Sequence, residues 1–217
     1  MAESHSEDEK QRWKRNLVET HFFVQMFVVT VLLLLILYGG YYHAQSYIPV
    51  PQSSDLSIKL AYSLQFCGLT SVLTLIVAIA MVESKRATTS AINPLAGRES
   101  HVQVDKNVLN NTVEQILIYV LASLILSIYL QPSEMRIIPL YTVVFVVGRA
   151  LFRIGYGIHP KYRLVGVEMN LCSNYFFAGL IIYLMYTRGF MCAVLQTAAV
   201  SSNTAALYLL QRLSCSR

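Results

Sequence analysis

Five stretches of this 217-residue chain contain no Asp, Glu, Lys or Arg: residues 20–54, 60–82, 115–133, 169–187 and 189–211. That clustering constrains the fold more than any other feature. A bilayer core asks for about 20 apolar residues per helix. Inside it the backbone must satisfy its own hydrogen bonds, which a helix does. Hydrophobic residues make up 55% of the chain and charged residues 13%, against about a quarter charged in soluble domains. The expected fold is all-α, a polytopic membrane helical bundle. A soluble enzyme and a free nucleic-acid binder are excluded, and the lipid bilayer is the first partner.

Residues 1–19 carry charges of both signs and read as a cytosolic polar tail. Residues 20–42 read as an N-terminal transmembrane anchor, uncleaved because the apolar run from His21 to Tyr42 is too long for a signal-peptide core and no small-x-small cleavage site follows it closely. Tyr38, Tyr41 and Tyr42 suit an aromatic belt at its far end. Further spans are expected over 60–82, 108–130, 137–157 and 166–187. In the C-terminal tail, 188–217, the stretch 189–211 has the length of a span but carries Gln196, Thr197, Ser201, Ser202, Asn203 and Thr204. Both a sixth span and an interfacial or re-entrant segment fit it. Cys67, Cys172, Cys192 and Cys215 have neither metal-ligand spacing nor the pattern of a disulfide framework, so no metal is expected.

Basic residues between the spans alternate. The tail has four (Lys10, Arg12, Lys14, Arg15), the first loop one (Lys59), and the second loop four (Lys85, Arg86, Arg98, Lys106). The third has one (Arg136) and the fourth two (Lys161, Arg163). Positive charge stays on the cytosolic side, so the N-terminus and the second and fourth loops are expected there. The sequon at Asn110 then lies at a cytosolic membrane edge and is expected to stay unglycosylated.

Two spans carry polar or charged stripes. Asn107, Asn111 and Glu114 in the third, and Arg149, Arg153 and Tyr156 in the fourth, share the spacing i, i+4, i+7, one face of a helix. Charge within a span is costly and seeks a partner. A Glu114–Arg149 or Glu114–Arg153 pair is the simplest expectation. Such a pair either only fixes helix register or belongs to an inward pocket for an anionic, polar small molecule. Arg149, Arg153 and Arg163 outnumber the single carboxylate there, and Arg suits planar recognition of carboxylates.

Asn111-Thr-Val-Glu114 early in a span resembles the N-x-x-E motif of the MAPEG superfamily, the membrane-associated proteins of eicosanoid and glutathione metabolism. The run from Gly148 to Tyr156 is similar to the superfamily's second signature. The resemblance covers residues 60–187. It implies a MAPEG-like unit of four transmembrane helices, assembled as a homotrimer, with glutathione bound between subunits on the cytosolic side. It implies that Asn111, Glu114, Arg149, Arg153 and Tyr156 contact or line a glutathione site. It implies that Arg163, the candidate catalytic residue, stabilises the thiolate. The extra N-terminal span resembles the transmembrane protein 79 (mattrin) branch of the superfamily. That branch implies Golgi, lysosomal or other endomembranes and a trafficking role without established enzymatic activity.

Asn107 stands where the enzymes carry Arg, Gln115 where Tyr is common, and Phe152 where the second signature has Tyr. These departures favour a non-catalytic protein of vesicle trafficking or membrane-protein cargo handling. Arg163 keeps open the alternative, a microsomal glutathione transferase-like transferase or peroxidase acting on lipophilic electrophiles.

Overall fold

The structure, a computed structural model, describes residues 24–43, 46–89, 99–158 and 162–189. The expected tail at 1–19 and the segment 190–211 lie outside the described residues. Those residues form five helices long and apolar enough to cross a membrane: α1 (Val24–His43), α2 (Leu56–Thr88), α3 (Gln103–Tyr129), α4 (Ile137–Ile158) and α5 (Arg163–Arg188). The expected helical membrane bundle is what the chain forms.

Two helices outrun their apolar stretches. α2 continues past Val82 to Thr88, with Lys85 and Arg86 in its last turn. Cations there meet the negative end of the helix dipole. α3 begins at Gln103, with Asp105 in its first turn, where an anion is favoured for the converse reason. Helical hydrogen bonding does not stop where the hydrocarbon ends, so residues expected in the second loop are helical.

α4 is the most buried helix and α1 the least. α4 packs chiefly on α5, and α2 on α3. Close approach of α4 and α5 depends on Gly166. A Cβ there would strike the backbone nitrogen of Phe152 and lie 2.5 Å from its Cα. Small residues at such crossings let helix backbones meet. α1 joins from outside, placing Leu33 and Leu37 in the core and bringing the Thr30 hydroxyl within 3.2 Å of Cys172 Sγ.

The core is aromatic. Tyr141 stacks on Phe177 at 3.7 Å between ring centroids, and Tyr119 on Phe145 at 4.2 Å. Buried phenols need hydrogen-bond partners. The Tyr119 hydroxyl lies 2.6 Å from Thr142 Oγ1. The Tyr141 hydroxyl donates to Asn174 Oδ1 at 2.8 Å, and Asn174 Nδ2 donates to Gln115 Oε1 at 2.7 Å. Gln115 thus ties α3 to α5 and, through Asn174, to α4.

One end of the bundle is held by charge. Lys59 Nζ donates to the carbonyls of Ile128 (3.2 Å) and Leu130 (3.0 Å). These are among the last carbonyls of α3, a preferred seat for a cation. Arg188 donates to the Tyr129 carbonyl and pairs with Glu134 at 2.8 Å. Glu134 in turn accepts the Gln131 N–H at 2.8 Å.

Candidate functional site

The polar groups at the opposite end sit on α2, α3, α4 and the start of α5. The two stripes do meet, though by a different pairing. Arg149 Nη1 donates to Asn111 Oδ1 at 2.9 Å. Arg149 is 6% exposed, and its guanidinium lies 4.7 Å from the centroid of the Phe152 ring.

The expected Glu114 pair is not formed. Glu114 is exposed and makes no hydrogen bond or ion pair among the described residues. The carboxylate that pairs with α4 is Asp105, 3% exposed. Arg153 Nη2 lies 2.7 Å from Asp105 Oδ1 and Lys85 Nζ 2.9 Å from Oδ2. Helical phase explains the substitution. Asp105, Val108, Thr112 and Tyr119 form the buried face of α3. At 3.6 residues per turn, Glu114 stands about 200° on from Thr112 and points away, whereas Asp105 is within about 20° of it.

Tyr156 and Arg163 form a second contact, between α4 and α5. Arg163 Nη1 donates to the Tyr156 hydroxyl at 2.8 Å, with the guanidinium 4.9 Å from the ring centroid. Tyr156 also packs edge-on against Phe152 at 5.8 Å. Asn107 is exposed and accepts a hydrogen bond from Gln103 Nε2 at 2.9 Å.

A cleft of about 420 Å³ opens between α2, α3 and α4. Leu73, Val77, Val146 and Ile154 make apolar walls, and Asp105, Arg149 and Arg153 are its charged groups. At the α2 C-terminus it meets a shallower recess reached by Ser84, Lys85 and Thr88. Of the six residues singled out from the sequence, only Arg149 and Arg153 line this cleft. Asn111, Glu114, Tyr156 and Arg163 do not. Within one subunit only Arg149 and Arg153 of the six share this cleft, and the site that the resemblance implies lies between subunits. Among the described residues no three His, Cys, Asp or Glu side chains come together to hold a metal.

Sequence reasoning missed Asp105 and Lys85. Both were counted as loop residues because they lie beyond the apolar runs. The signal was present in the spacing of Asp105 to Val108, Thr112 and Tyr119. It also passed over Glu168, a carboxylate on α5 that is 1% exposed.

Transmembrane protein 79 of Mus musculus is 22% identical over 137 residues, which are 62% of this chain and 34% of that protein. Transmembrane protein 79 of Bos taurus is 22% identical over the same length, 62% of this chain and 33% of its own. The chain thus spans about a third of the length of the curated relatives it matches. No solved structure matches it. The family model described as "MAPEG family" matches residues 62–183, from α2 nearly to the end of α5 and more than half of the chain. This chain belongs to the MAPEG family.

Proposed function

We propose that this chain is a non-catalytic MAPEG protein of endomembranes, acting in vesicle trafficking or in the handling of membrane-protein cargo. One observation supports the non-catalytic part most. Two of the arginines that a thiol site would use are engaged within the fold. Arg153 is paired with Asp105, and Arg163 is held on Tyr156. Gln115, which stands where a Tyr is common, is taken up by the Asn174–Tyr141 chain. The trafficking part is what the sequence resemblance to the transmembrane protein 79 branch implies. A homotrimer and a cytosolic N-terminus belong to the same reading, from the family resemblance and from the alternation of basic loops.

The test has two arms. Purified full-length protein, incubated with millimolar glutathione, is expected to keep its melting temperature and to leave a lipophilic electrophile unconjugated. Cells lacking the chain are expected to show an altered set of membrane proteins at their surface, read by surface biotinylation. A glutathione-dependent thermal shift with conjugation would replace this reading by the enzymatic one. An unchanged surface set would remove the trafficking role.

A further inference from the structure

The cleft between α2, α3 and α4 is unbalanced in charge. Lys85, Arg149 and Arg153 share it and its outer recess with one carboxylate, Asp105. Asp105 is already engaged by Lys85 and Arg153. Arg149 therefore has no counter-charge among the described residues. It is 94% buried, being 6% exposed. Its Nε is buried without a hydrogen-bond partner. Only the Nη1 bond to Asn111 and the Phe152 ring attend it. A guanidinium kept in that state inside a membrane helix marks a place for an anion.

The walls indicate what carries the anion. Leu73, Val77 and Ile154 are each more than half exposed, so the cleft is open sideways, toward lipid tails. From Thr70 to Met81, its limits on α2, the helix rises about 16 Å at 1.5 Å per residue. That is the depth of one leaflet of a hydrocarbon core about 30 Å thick. The charged end faces the α2 C-terminus, where a leaflet's head groups lie. Basic pockets between membrane helices are a known way of holding anionic head groups. Cations here outnumber the carboxylate, and a phosphate offers more charge and more acceptor oxygens than a fatty-acid carboxylate.

We propose that this cleft holds an acyl chain of a phosphate-headed anionic lipid drawn from the adjacent leaflet, with its phosphate against Arg149 and Arg153. The site lies within one subunit. It does not depend on the trafficking role or on a thiol site between subunits.

The probe is dioctanoyl phosphatidate added to the delipidated full-length protein, with dioctanoyl phosphatidylcholine, oleate and glutathione as comparators. Phosphatidate is expected to raise the melting temperature and to bind at least tenfold more tightly than the other three. Arg149→Gln is expected to lose at least tenfold in phosphatidate affinity. Should that variant fail to fold, Ala150→Trp decides. Ala150 lines the cleft and is exposed, so the indole fills the space without removing a charge, and binding is expected to fall equally. Equal responses to phosphatidate and phosphatidylcholine would overturn the proposal, as would an oleate response matching phosphatidate. Full binding by Ala150→Trp would put the lipid elsewhere. A changed oligomeric state of Ala150→Trp on sizing would put a second copy of the chain in the cleft.

Discussion

Replacing Asp105 by Asn should destabilise the bundle more than any other single carboxylate change near the cleft. Asp105 is 3% exposed and its two oxygens lie 2.9 Å from Lys85 and 2.7 Å from Arg153. Breaking a fully buried pair costs about 3–5 kcal/mol, and an exposed pair is worth about 0–1 kcal/mol. Here the carboxylate is buried, while the Lys85 and Arg153 side chains are 46% and 30% exposed. The stranded cations can turn toward water, so the loss falls between those limits, at about 2 kcal/mol. For a chain of this size that lowers a melting temperature by about 4–8 °C. The assay is thermal unfolding of the full chain in one detergent, followed by intrinsic fluorescence and by retention on a sizing column. Asp105→Asn placed on an Arg153→Gln background should cost less than on the wild type, because the two changes remove one interaction. Glu114→Gln is the control and should stay within about 0.5 kcal/mol, as surface changes do. If Glu114→Gln proves the more damaging of the two, or if the double-mutant effects simply add, the assignment of the carboxylate is wrong.

Gly166→Ala should cost about 2–3 kcal/mol or more, because the new methyl meets the α4 backbone, which cannot yield as a flexible side chain would; folded yield and melting temperature in detergent report it. Gln115→Leu leaves Asn174 without its acceptor and should cost about 0.6–1.7 kcal/mol, the mean and the maximum for hydrogen bonds between membrane helices, read in the same melt. Lys59→Met frees the carbonyls of Ile128 and Leu130 and should cost about 1.5–3 kcal/mol, with faster amide exchange at the α3 C-terminus. Single cysteines at Ala87 and Ser54, both exposed, should label from opposite sides of sealed vesicles, with Ala87 on the cytosolic side; the reverse pattern would invert the topology.

The number and order of the spans were legible because a membrane helix announces itself by length and missing charge. Their ends were not. α2 and α3 run on through polar turns, and those turns hold Lys85 and Asp105. The phase of α3 was equally hard to read. Apolar residues surround it on every side, so no single stripe marks the inward face. The motif pair Asn111 and Glu114 invited one phase, while the buried positions Asp105, Thr112 and Tyr119 follow another. Arg149 and Arg153 were found because a cation in the middle of an apolar run stands out from any direction. Gln115 was read only as a missing tyrosine. Its use as a link between α3 and α5 depends on Asn174, 59 positions away in sequence, and spacing within one helix does not reveal such a partner.

The pairing of α4 with α3 bears on how the chain is made. α4 carries two arginines in its second half, and an arginine costs up to about 2.5–3.5 kcal/mol when it enters a bilayer at a helix centre unaccompanied. Both are met by α3, Arg149 by Asn111 and Arg153 by Asp105. α3 leaves the ribosome first, and only the short turn through Pro132–Glu134 separates the two helices. The partners for the arginines therefore precede α4 at the translocon, and the two helices are expected to enter the lipid as a hairpin. Glycosylation reporters fused after α4 would register that dependence as poorer insertion when Asn111 and Asp105 are both replaced by leucine, although α3 itself becomes more apolar.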